Sequence, residues 1–158
     1  MKASDWMSVA EIYKEGIETG IATFQQTVPS WEEWNGAHAL DCRIVAEVDN
    51  EISGWAALSY VSARAVYSGV AEVSVYVGIK YRGQQIGTKL LESIIHESEC
   101  QGYWTLQSGI LTENSASIAI HKKSGFREIG YREKVAKIKN VWKNTVLFER
   151  RSTVTGIE

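Results

Sequence analysis

The feature that most constrains the fold is a strand that leads through a glycine-containing loop into a helix. Residues 70–77 alternate valines with other side chains, which predicts a β-strand. A loop at residues 80–87 follows, and the next helix has an apolar face made of Ile86, Leu90, Leu91, Ile94 and Ile95. Unpaired N–H groups at a helix N-terminus attract anions, and glycine lets the backbone approach them closely. The segment therefore suits a pyrophosphate, although an ordinary strand-to-helix turn explains the same pattern.

The rest of the chain predicts one domain with a mixed sheet, since 158 residues fit a single domain. An amphipathic helix comes first, with the stripe Val9, Ile12, Tyr13, Gly16 and Ile17. Shorter helices are predicted at about residues 31–39 and from Asn114 to Gly125. Asp49-Asn50 is typical of a hairpin turn. Strands are predicted at residues 43–48, 51–61, 103–110, about 126–136 and about 141–150. This order predicts an α/β (α+β) fold with helices flanking the sheet.

Charge and cysteine content exclude several classes of protein. Seventeen basic and nineteen acidic residues leave a net charge of −2, whereas a duplex-binding protein usually has a basic excess. The sequence has neither a signal-peptide core nor an apolar stretch near the roughly 20 residues that span a bilayer. Cys42 and Cys100 form no metal or redox spacing, and we expect both to be small buried apolar side chains. We therefore expect a cytoplasmic protein with no nucleic-acid, membrane or metal partner.

Two further groups of residues suggest chemistry. Asn114 can cap the helix that follows it, and His121 lies about two turns further along nearly the same face. Both would then line one cleft, although a capping role alone explains Asn114 and a surface or packed position explains His121. Glu72 lies within a strand of β-branched residues. It either faces solvent or, if its face forms a buried cleft, serves as a general base.

Three segments, at residues 71–77, 81–91 and 114–126, occur in an order and spacing that resemble the GNAT N-acetyltransferase superfamily. Residues 20–24 and 63–67, together with Glu72, are most similar to its phosphinothricin N-acetyltransferase branch. The resemblance covers roughly residues 9 to 148. It implies a single acetyltransferase domain over residues 1–158, with a mostly antiparallel sheet that splays near the cofactor cleft. The polar residues at about 152–158 are expected to form a mobile tail.

The resemblance implies acetyl-CoA as co-substrate. In this family the loop at residues 82–88 holds the pyrophosphate, the strand before it holds the pantetheine arm, and an asparagine contacts that arm. The implied residues are Val75, Tyr76, Val77, Arg82, Gly83, Gln84, Gln85, Ile86, Gly87, Thr88 and Asn114. Gln85 stands where the family usually has glycine. It either crowds the phosphates or is tolerated, and we expect it to be tolerated.

The resemblance also implies the roles of the reacting residues. Glu72 would be the base that deprotonates an amine, and His121 would either protonate the leaving thiolate or assist the base. Phe24, Arg64 and Tyr67 would bind the acceptor, and the guanidinium of Arg64 would suit a carboxylate or phosphinate. The acceptors would be small amino acids of the phosphinothricin, methionine sulfone or methionine sulfoximine type, and the protein would be a homodimer.

Two other functions remain open from the sequence. One is acetylation of a protein or peptide amine rather than a free amino acid. The other is a non-catalytic acyl-CoA-binding module, because Gln85 disturbs the loop that would hold the phosphates. Acetyl-CoA binding without transfer to any acceptor would distinguish this module from an enzyme.

Overall fold

The computed structural model describes residues 1–157 and contains four α-helices and six strands in that range. The helices are α1 (Trp6–Glu18), α2 (Trp31–Ala37), α3 (Ile86–Cys100) and α4 (Ser115–Lys123). The strands are β1 (Arg43–Val48), β2 (Glu51–Tyr60), β3 (Val70–Val77), β4 (Thr105–Leu111), β5 (Arg127–Ile138) and β6 (Val141–Arg151). They form one sheet in the order β1-β2-β3-β4-β6-β5. Only β3 and β4 are parallel, which confirms the predicted mixed, mostly antiparallel sheet.

Local sequence explains several element ends. Asp49 and Asn50 both have positive φ, 51° and 64°, as a two-residue hairpin turn requires, and they join β1 to β2. Ser30 begins α2 with a capping box: its hydroxyl accepts from the Glu33 N–H, and the Glu33 carboxylate accepts from the Ser30 N–H. The predicted elements are all present, and their ends differ by at most two residues from the expected ones.

The parallel pair β3–β4 is the most important irregularity of the sheet. These strands pair only from Val70 to Glu72 and from Thr105 to Gln107. Beyond these residues they separate, and the edge of β3 that faces β4 has no strand partner. This opening confirms the splay that was expected near the cofactor cleft.

Apolar cores lie on both faces of the sheet. α3 covers one face, where it packs against β1, β2 and β3 and buries the side chains of Leu90, Leu91 and Ile94. α1 and α2 cover the other face over β2 and β3, with a buried set made of Val9, Ile12, Tyr13, Trp34, Trp55 and Ala57. The part of that second face formed by β4, β6 and β5 is not in this core. It borders the cleft described below.

Two predictions about individual segments need comment. Cys42 is buried, and burial raises the pKa of its thiol to about 12. The predicted burial of Cys100 is wrong, because this last residue of α3 lies off the apolar stripe and is exposed. In the predicted tail, the Ser152 hydroxyl donates to Glu99 Oε1 at 2.8 Å and the Arg151 guanidinium donates to the carbonyl of Thr155. The mobility of residues 152–158 stays a prediction, and Glu158 lies outside the described residues.

Within residues 1–157, no helix combines the length and the apolar character that crossing a bilayer requires.

Candidate active site

Three adjoining cavities lie in and beside the opening between β3 and β4. The central cavity, of about 380 Å³, lies between residues 72–76 of β3 and 108–111 of β4. The loop-side cavity, of about 460 Å³, reaches the loop before α3, and the hairpin-side cavity, of about 440 Å³, reaches β5 and β6. The central cavity shares Val75 and Asn114 with the loop-side cavity, and Phe24 and Glu72 with the hairpin-side cavity. The three therefore form one continuous cleft.

The loop-side cavity contains ten of the eleven residues predicted to bind acetyl-CoA. They are Val75, Tyr76, Val77, Arg82, Gly83, Gln85, Ile86, Gly87, Thr88 and Asn114. The exception is Gln84, which is exposed and whose side-chain amide donates to the Lys80 carbonyl at 3.4 Å. The structure brings these residues together, and their contact with acetyl-CoA stays a prediction.

The loop itself depends on two left-handed residues. Gly83 has φ 77° and Gln85 has φ 62°, so a glutamine adopts the conformation that glycine adopts most easily. The Gln85 carbonyl accepts the first helical bond, from Lys89 N–H at 3.1 Å. The N–H groups of the first turn of α3 then have no partner within the helix, and they favour an anion. Gly87 borders this site, and a Cβ there would lie 3.4 Å from Ile120 Cδ1.

The short 3₁₀ turn Ile79–Tyr81 fixes the position of the loop from two sides. Its Ile79 N–H donates to Glu15 Oε2 of α1 at 2.7 Å. Its Lys80 ammonium donates to Glu51 Oε2 of β2 at 2.7 Å, and the Tyr81 hydroxyl donates to the same oxygen. The hydrogen bonds from Lys80 and then Tyr81 lower the pKa of the Glu51 carboxyl. The loop is thus attached to both α1 and the sheet.

These features fit the expected co-substrate. The start of α3 and the Arg82 side chain offer donors and positive charge to a pyrophosphate. The edge of β3 beyond Glu72 offers unpaired backbone groups to an extended arm, because its pairing with β4 has ended. Tyr76, on this part of β3, is partly buried, and burial raises the pKa of its phenol well above the ordinary value.

Asn114 and His121 both line the central cavity, as their spacing on α4 predicts. The Asn114 side-chain oxygen accepts from Ser117 N–H at 3.1 Å, so this residue caps α4 while it borders the cleft. His121 is buried, and its Nδ1 lies 2.8 Å from the Ser117 carbonyl oxygen. Because a carbonyl only accepts, Nδ1 carries the proton. Nε2 is then an acceptor, and it has no hydrogen-bond partner.

Burial lowers the pKa of the His121 imidazole, and the hydrogen bond to Ser117 opposes this effect only in part. The neutral ring contacts the edge of Phe126, with centroids 4.9 Å apart. A neutral imidazole with a free Nε2 lone pair is suited to receive a proton rather than to donate one.

Glu72 lies at the junction of the central and hairpin-side cavities. Its side chain is exposed, so the buried cleft face considered from the sequence is not present. One carboxylate oxygen lies 3.5 Å from Gln107 Nε2, on the strand that pairs with it in register. The carboxylate therefore faces the cleft while it stays hydrated, and its role as a base stays a prediction.

The residues expected to bind the acceptor are not all brought together. Phe24 lines the central and hairpin-side cavities. Arg64 and Tyr67 are exposed, line none of the three cavities, and stack on each other with the guanidinium 5.7 Å from the ring centroid. Their roles stay predictions. Sequence reasoning missed Arg132, which lines the hairpin-side cavity. No local motif marks it, because its place depends on a β-bulge in β5.

Among residues 1–157, no group of three His, Cys, Asp or Glu side chains is placed to hold a metal ion. That the reaction needs no metal stays a prediction.

Comparison with known proteins identifies the family. The model of the Acetyltransferase (GNAT) family matches residues 6–126, which is well over half of the chain. The chain belongs to the GNAT family. The prediction of an N-acetyltransferase is thereby confirmed. A phosphinothricin N-acetyltransferase of Alcaligenes faecalis is 29% identical over 156 residues, covering 95% of this chain and 79% of the relative.

Two solved structures share the fold over most of their length. A phosphinothricin acetyltransferase from Sinorhizobium meliloti, in complex with AcCoA, has a TM-score of 0.90 and 26% identity, and the match covers 100% of this chain and 89% of that one. A ribosomal-protein-alanine N-acetyltransferase from Brucella melitensis has a TM-score of 0.89 and 27% identity, and the match covers 96% and 97%. The fold is therefore shared by proteins named for different acceptors.

Proposed function

We propose that this GNAT protein transfers the acetyl group of acetyl-CoA to the primary amine of a small, amino acid-like acceptor. The observation that carries the proposal is the continuity of the cleft. An anion-binding loop and a strand edge lie at one end, and Glu72 stands where the central cavity meets a second cavity. The relative from Alcaligenes faecalis, named a phosphinothricin N-acetyltransferase, supports this class of acceptor.

The loop side would bind acetyl-CoA. The N–H groups at the start of α3 and the Arg82 guanidinium would hold the pyrophosphate, while the backbone of Val75 to Val77 would hold the pantetheine arm. When bound, acetyl-CoA would supply an acetyl thioester, whose C–S bond breaks as the C–N bond to the amine forms, and the departing thiolate would take up the proton that the nitrogen then loses. Unpaired N–H groups of β3 near Val75 would stabilise negative charge on the thioester oxygen.

Glu72 would remove the proton from the acceptor. The α-amine of an amino acid has a pKa of about 8, so at neutral pH it must lose a proton before its nitrogen attacks a carbonyl. The carboxylate of Glu72 faces the cavity in which the amine would lie and remains accessible to water. It would take the proton directly or through one water molecule.

His121 would assist this base rather than act as the acid. Its Nδ1–H is committed to the Ser117 carbonyl and its Nε2 has no proton to give in this tautomer. The lowered pKa of the imidazole keeps the ring neutral at physiological pH. Of the two roles expected from the sequence, the geometry supports proton acceptance.

A panel of acceptors tests the proposal. Purified protein is mixed with acetyl-CoA and with phosphinothricin, methionine sulfone, methionine sulfoximine or the common amino acids, and thiol release is followed. We expect turnover with at least one free amino acid, well above the rate without acceptor. Acetyl-CoA binding by calorimetry without transfer to any acceptor would instead support a non-catalytic module, and no binding would contradict both.

A second candidate is acetylation of a protein N-terminus. The specific observation in its favour is the structural match to a protein named ribosomal-protein-alanine N-acetyltransferase. Mass spectrometry of a panel of peptides with different first residues, run beside the amino-acid panel, separates the candidates. Turnover of peptides but not of free amino acids would favour this second function.

We also propose, from the family resemblance, a cytoplasmic homodimer. Exposed apolar side chains on the β5–β6 hairpin support a contact there: Ile129, Tyr131, Val141 and Trp142 are 44–58% exposed. Sedimentation equilibrium would give twice the chain mass for a dimer, and the single mass at micromolar concentration would contradict it.

A further inference from the structure

The hairpin-side cavity contains one cationic side chain whose charge has no partner. Within the described part of the chain, Arg132 is the one lysine or arginine that lines this cavity, and its guanidinium makes neither an ion pair nor a hydrogen bond. The cavity is otherwise mostly apolar, with Phe24, Ile129 and Leu147 in its wall. An arginine with free donors in such a cavity is suited to bind an oxyanion with two hydrogen bonds.

The register of the sheet places Arg132 and Glu72 on the same face. Glu72 pairs with Gln107, and two residues further along β4 is Gly109, which lines the cavity. Gly109 pairs with Leu147 of β6. Two residues before Leu147 on the same strand is Thr145, and Thr145 pairs with Arg132 of β5. Directly paired residues share a face, as do residues two apart on one strand. The carboxylate and the guanidinium therefore belong to one surface of the cleft.

Their separation indicates which part of an acceptor each would contact. Three strand spacings of ~4.8 Å separate β3 from β5, and four residues of ~3.3 Å separate Gln107 from Leu111, which opposes Thr145. The two Cα atoms thus lie roughly 20 Å apart, and because both side chains stand roughly perpendicular to the sheet, they shorten this distance only by leaning toward each other. One carbon separates the amine of an amino acid from its α-carboxylate. The α-carboxylate therefore reaches Arg132 only if both side chains lean fully toward each other, whereas a group at the end of the acceptor's side chain is several bonds further from the amine.

We propose that Arg132 binds an oxyanion at the end of the acceptor's side chain while the amine lies at Glu72. This inference rests on the proposed function and assigns one residue to the side-chain end of an acceptor that carries a phosphinate, carboxylate or similar oxygen-rich group there. Arg132 is then a specificity-determining residue. The apolar wall contacts the methylene groups between the two polar ends.

A neighbouring arginine provides a matched control. Arg127, also on β5, donates to Glu149 Oε1 at 2.6 Å, so its charge is already neutralised, and it does not line the cavity. A substitution at Arg127 changes the net charge of the protein by the same amount as a substitution at Arg132, but it leaves the charge inside the cavity unchanged. Arg132 is exposed on its strand, so Arg132→Gln is compatible with folding, which thermal unfolding would check.

The experiment compares kcat/KM for phosphinothricin, with its anionic side chain, and for norleucine, with an apolar side chain of similar length. We expect Arg132→Gln to lower the ratio of the two values by about 10-fold or more, because hydrogen bonds to a charged group contribute that much discrimination. Arg127→Gln should leave the ratio unchanged. Arg132→Lys should restore part of it, since lysine keeps the charge and loses the two-pronged geometry.

The outcomes are distinguishable. Turnover by the wild type with an unchanged ratio in Arg132→Gln would overturn the assignment of Arg132 and leave the proposed function intact. An equal loss for both acceptors would also overturn it, because that result would indicate a contact with the shared α-carboxylate or with the fold. No turnover of any free amino acid by the wild type would overturn both the proposed function and the inference.

Discussion

The two ends of the cleft are built in different ways. The loop-side cavity takes about half of its lining from residues 75–77 and 82–88, and the first turn of α3 offers it unpaired backbone N–H groups. The hairpin-side cavity takes its lining from five separated parts of the chain, and its polar side chains include Glu72, Gln107, Arg132 and Thr145. Backbone donors are kept when side chains are substituted, so they suit a ligand that is the same in every relative. The specificity of a site made of side chains changes with each substitution. Substitutions should therefore separate the two ends kinetically.

The largest expected effect is at Glu72, where the central cavity meets the hairpin-side cavity. Glu72→Gln removes the proposed base while keeping the size of the side chain, and we expect kcat/KM for the acceptor to fall by at least about 10²-fold, the lower range for loss of a general base. The KM for acetyl-CoA should change by less than about twofold, because Glu72 does not line the loop-side cavity. Steady-state kinetics with each substrate varied in turn measures both values.

The control for this prediction is Glu47→Gln. Glu47 is an exposed carboxylate on β1 that lines none of the three cavities. The Glu47→Gln substitution should leave both kcat/KM for the acceptor and the KM for acetyl-CoA unchanged. A rate for Glu72→Gln that returns to the wild-type value at high pH, where the amine is already neutral, would agree with a base role. A Glu72→Gln rate equal to the wild-type rate at all pH values would exclude it.

The same contrast explains how much of the fold could be predicted. Asp49 and Asn50 indicate a turn by residue type, and the structure shows them with positive φ at that turn. The apolar stripe of α3 predicts its buried face, from Ile86 to Ile95. It did not extend to Cys100, because five residues beyond Ile95 a side chain points away from the stripe. An apolar pattern within one element predicted its buried face well, whereas the position where the pattern ends was predicted less well.

The candidate site divides in the same way. The loop residues are consecutive, so one motif indicated nearly all of them. Arg132 gave no such signal, because the register of β5 shifts between Arg132 and Ala136 and only the folded sheet decides which side chain enters the cavity. Arg64 is the opposite case to Arg132. It occupies a position that resembles the family motif, yet its side chain stacks on Tyr67 outside the three cavities.

The second-largest effect should affect the loop side alone. Gly87→Leu would place a side chain where a Cβ already lies 3.4 Å from Ile120 Cδ1 and 3.5 Å from Val77 Cγ2. The added atoms would enter the loop-side cavity, and we expect the KM for acetyl-CoA to rise about 10-fold, the effect of losing roughly 1.4 kcal/mol of binding. The KM for the acceptor should stay the same. An equal rise in both KM values would contradict the separation of the two ends.

A smaller effect concerns His121, which lines the central cavity between the two ends. Burial lowers the pKa of its imidazole in the folded protein, so between that value and about 6.5 the unfolded chain binds more protons than the folded one. The free energy of unfolding should therefore fall as pH decreases through about 6.5. One group accounts for at most about 1.4 kcal/mol per pH unit. Urea unfolding at a series of pH values from 8 to 5 measures the slope.

The variant that tests this assignment is His121→Asn, whose amide nitrogen replaces Nδ1 as the donor to Ser117. It should be less stable than the wild type at pH 8 and should have a flatter pH dependence. The slope should be reduced rather than abolished, because burial also lowers the pKa of His38, which stacks on Trp34. An unchanged slope in His121→Asn would show that His121 does not titrate in this range.

The smallest expected effect is at Gln85, and it sharpens the comparison on the loop side. The left-handed conformation of Gln85 costs roughly 1 kcal/mol, which glycine would not incur, while glycine adds roughly 0.4–1 kcal/mol of flexibility to the unfolded chain. Gln85→Gly should therefore raise the free energy of unfolding by at most about 0.5 kcal/mol.

The control is Gln84→Gly, at an exposed neighbour without positive φ, which should only destabilise. A Gln85→Gly variant no more stable than Gln84→Gly would mean that the loop carries no strain. The KM for acetyl-CoA then answers the question left open by the sequence. An unchanged KM in Gln85→Gly would mean that the backbone donors bind acetyl-CoA equally well beside glutamine. A 10-fold fall would mean that the glutamine side chain crowds the phosphates.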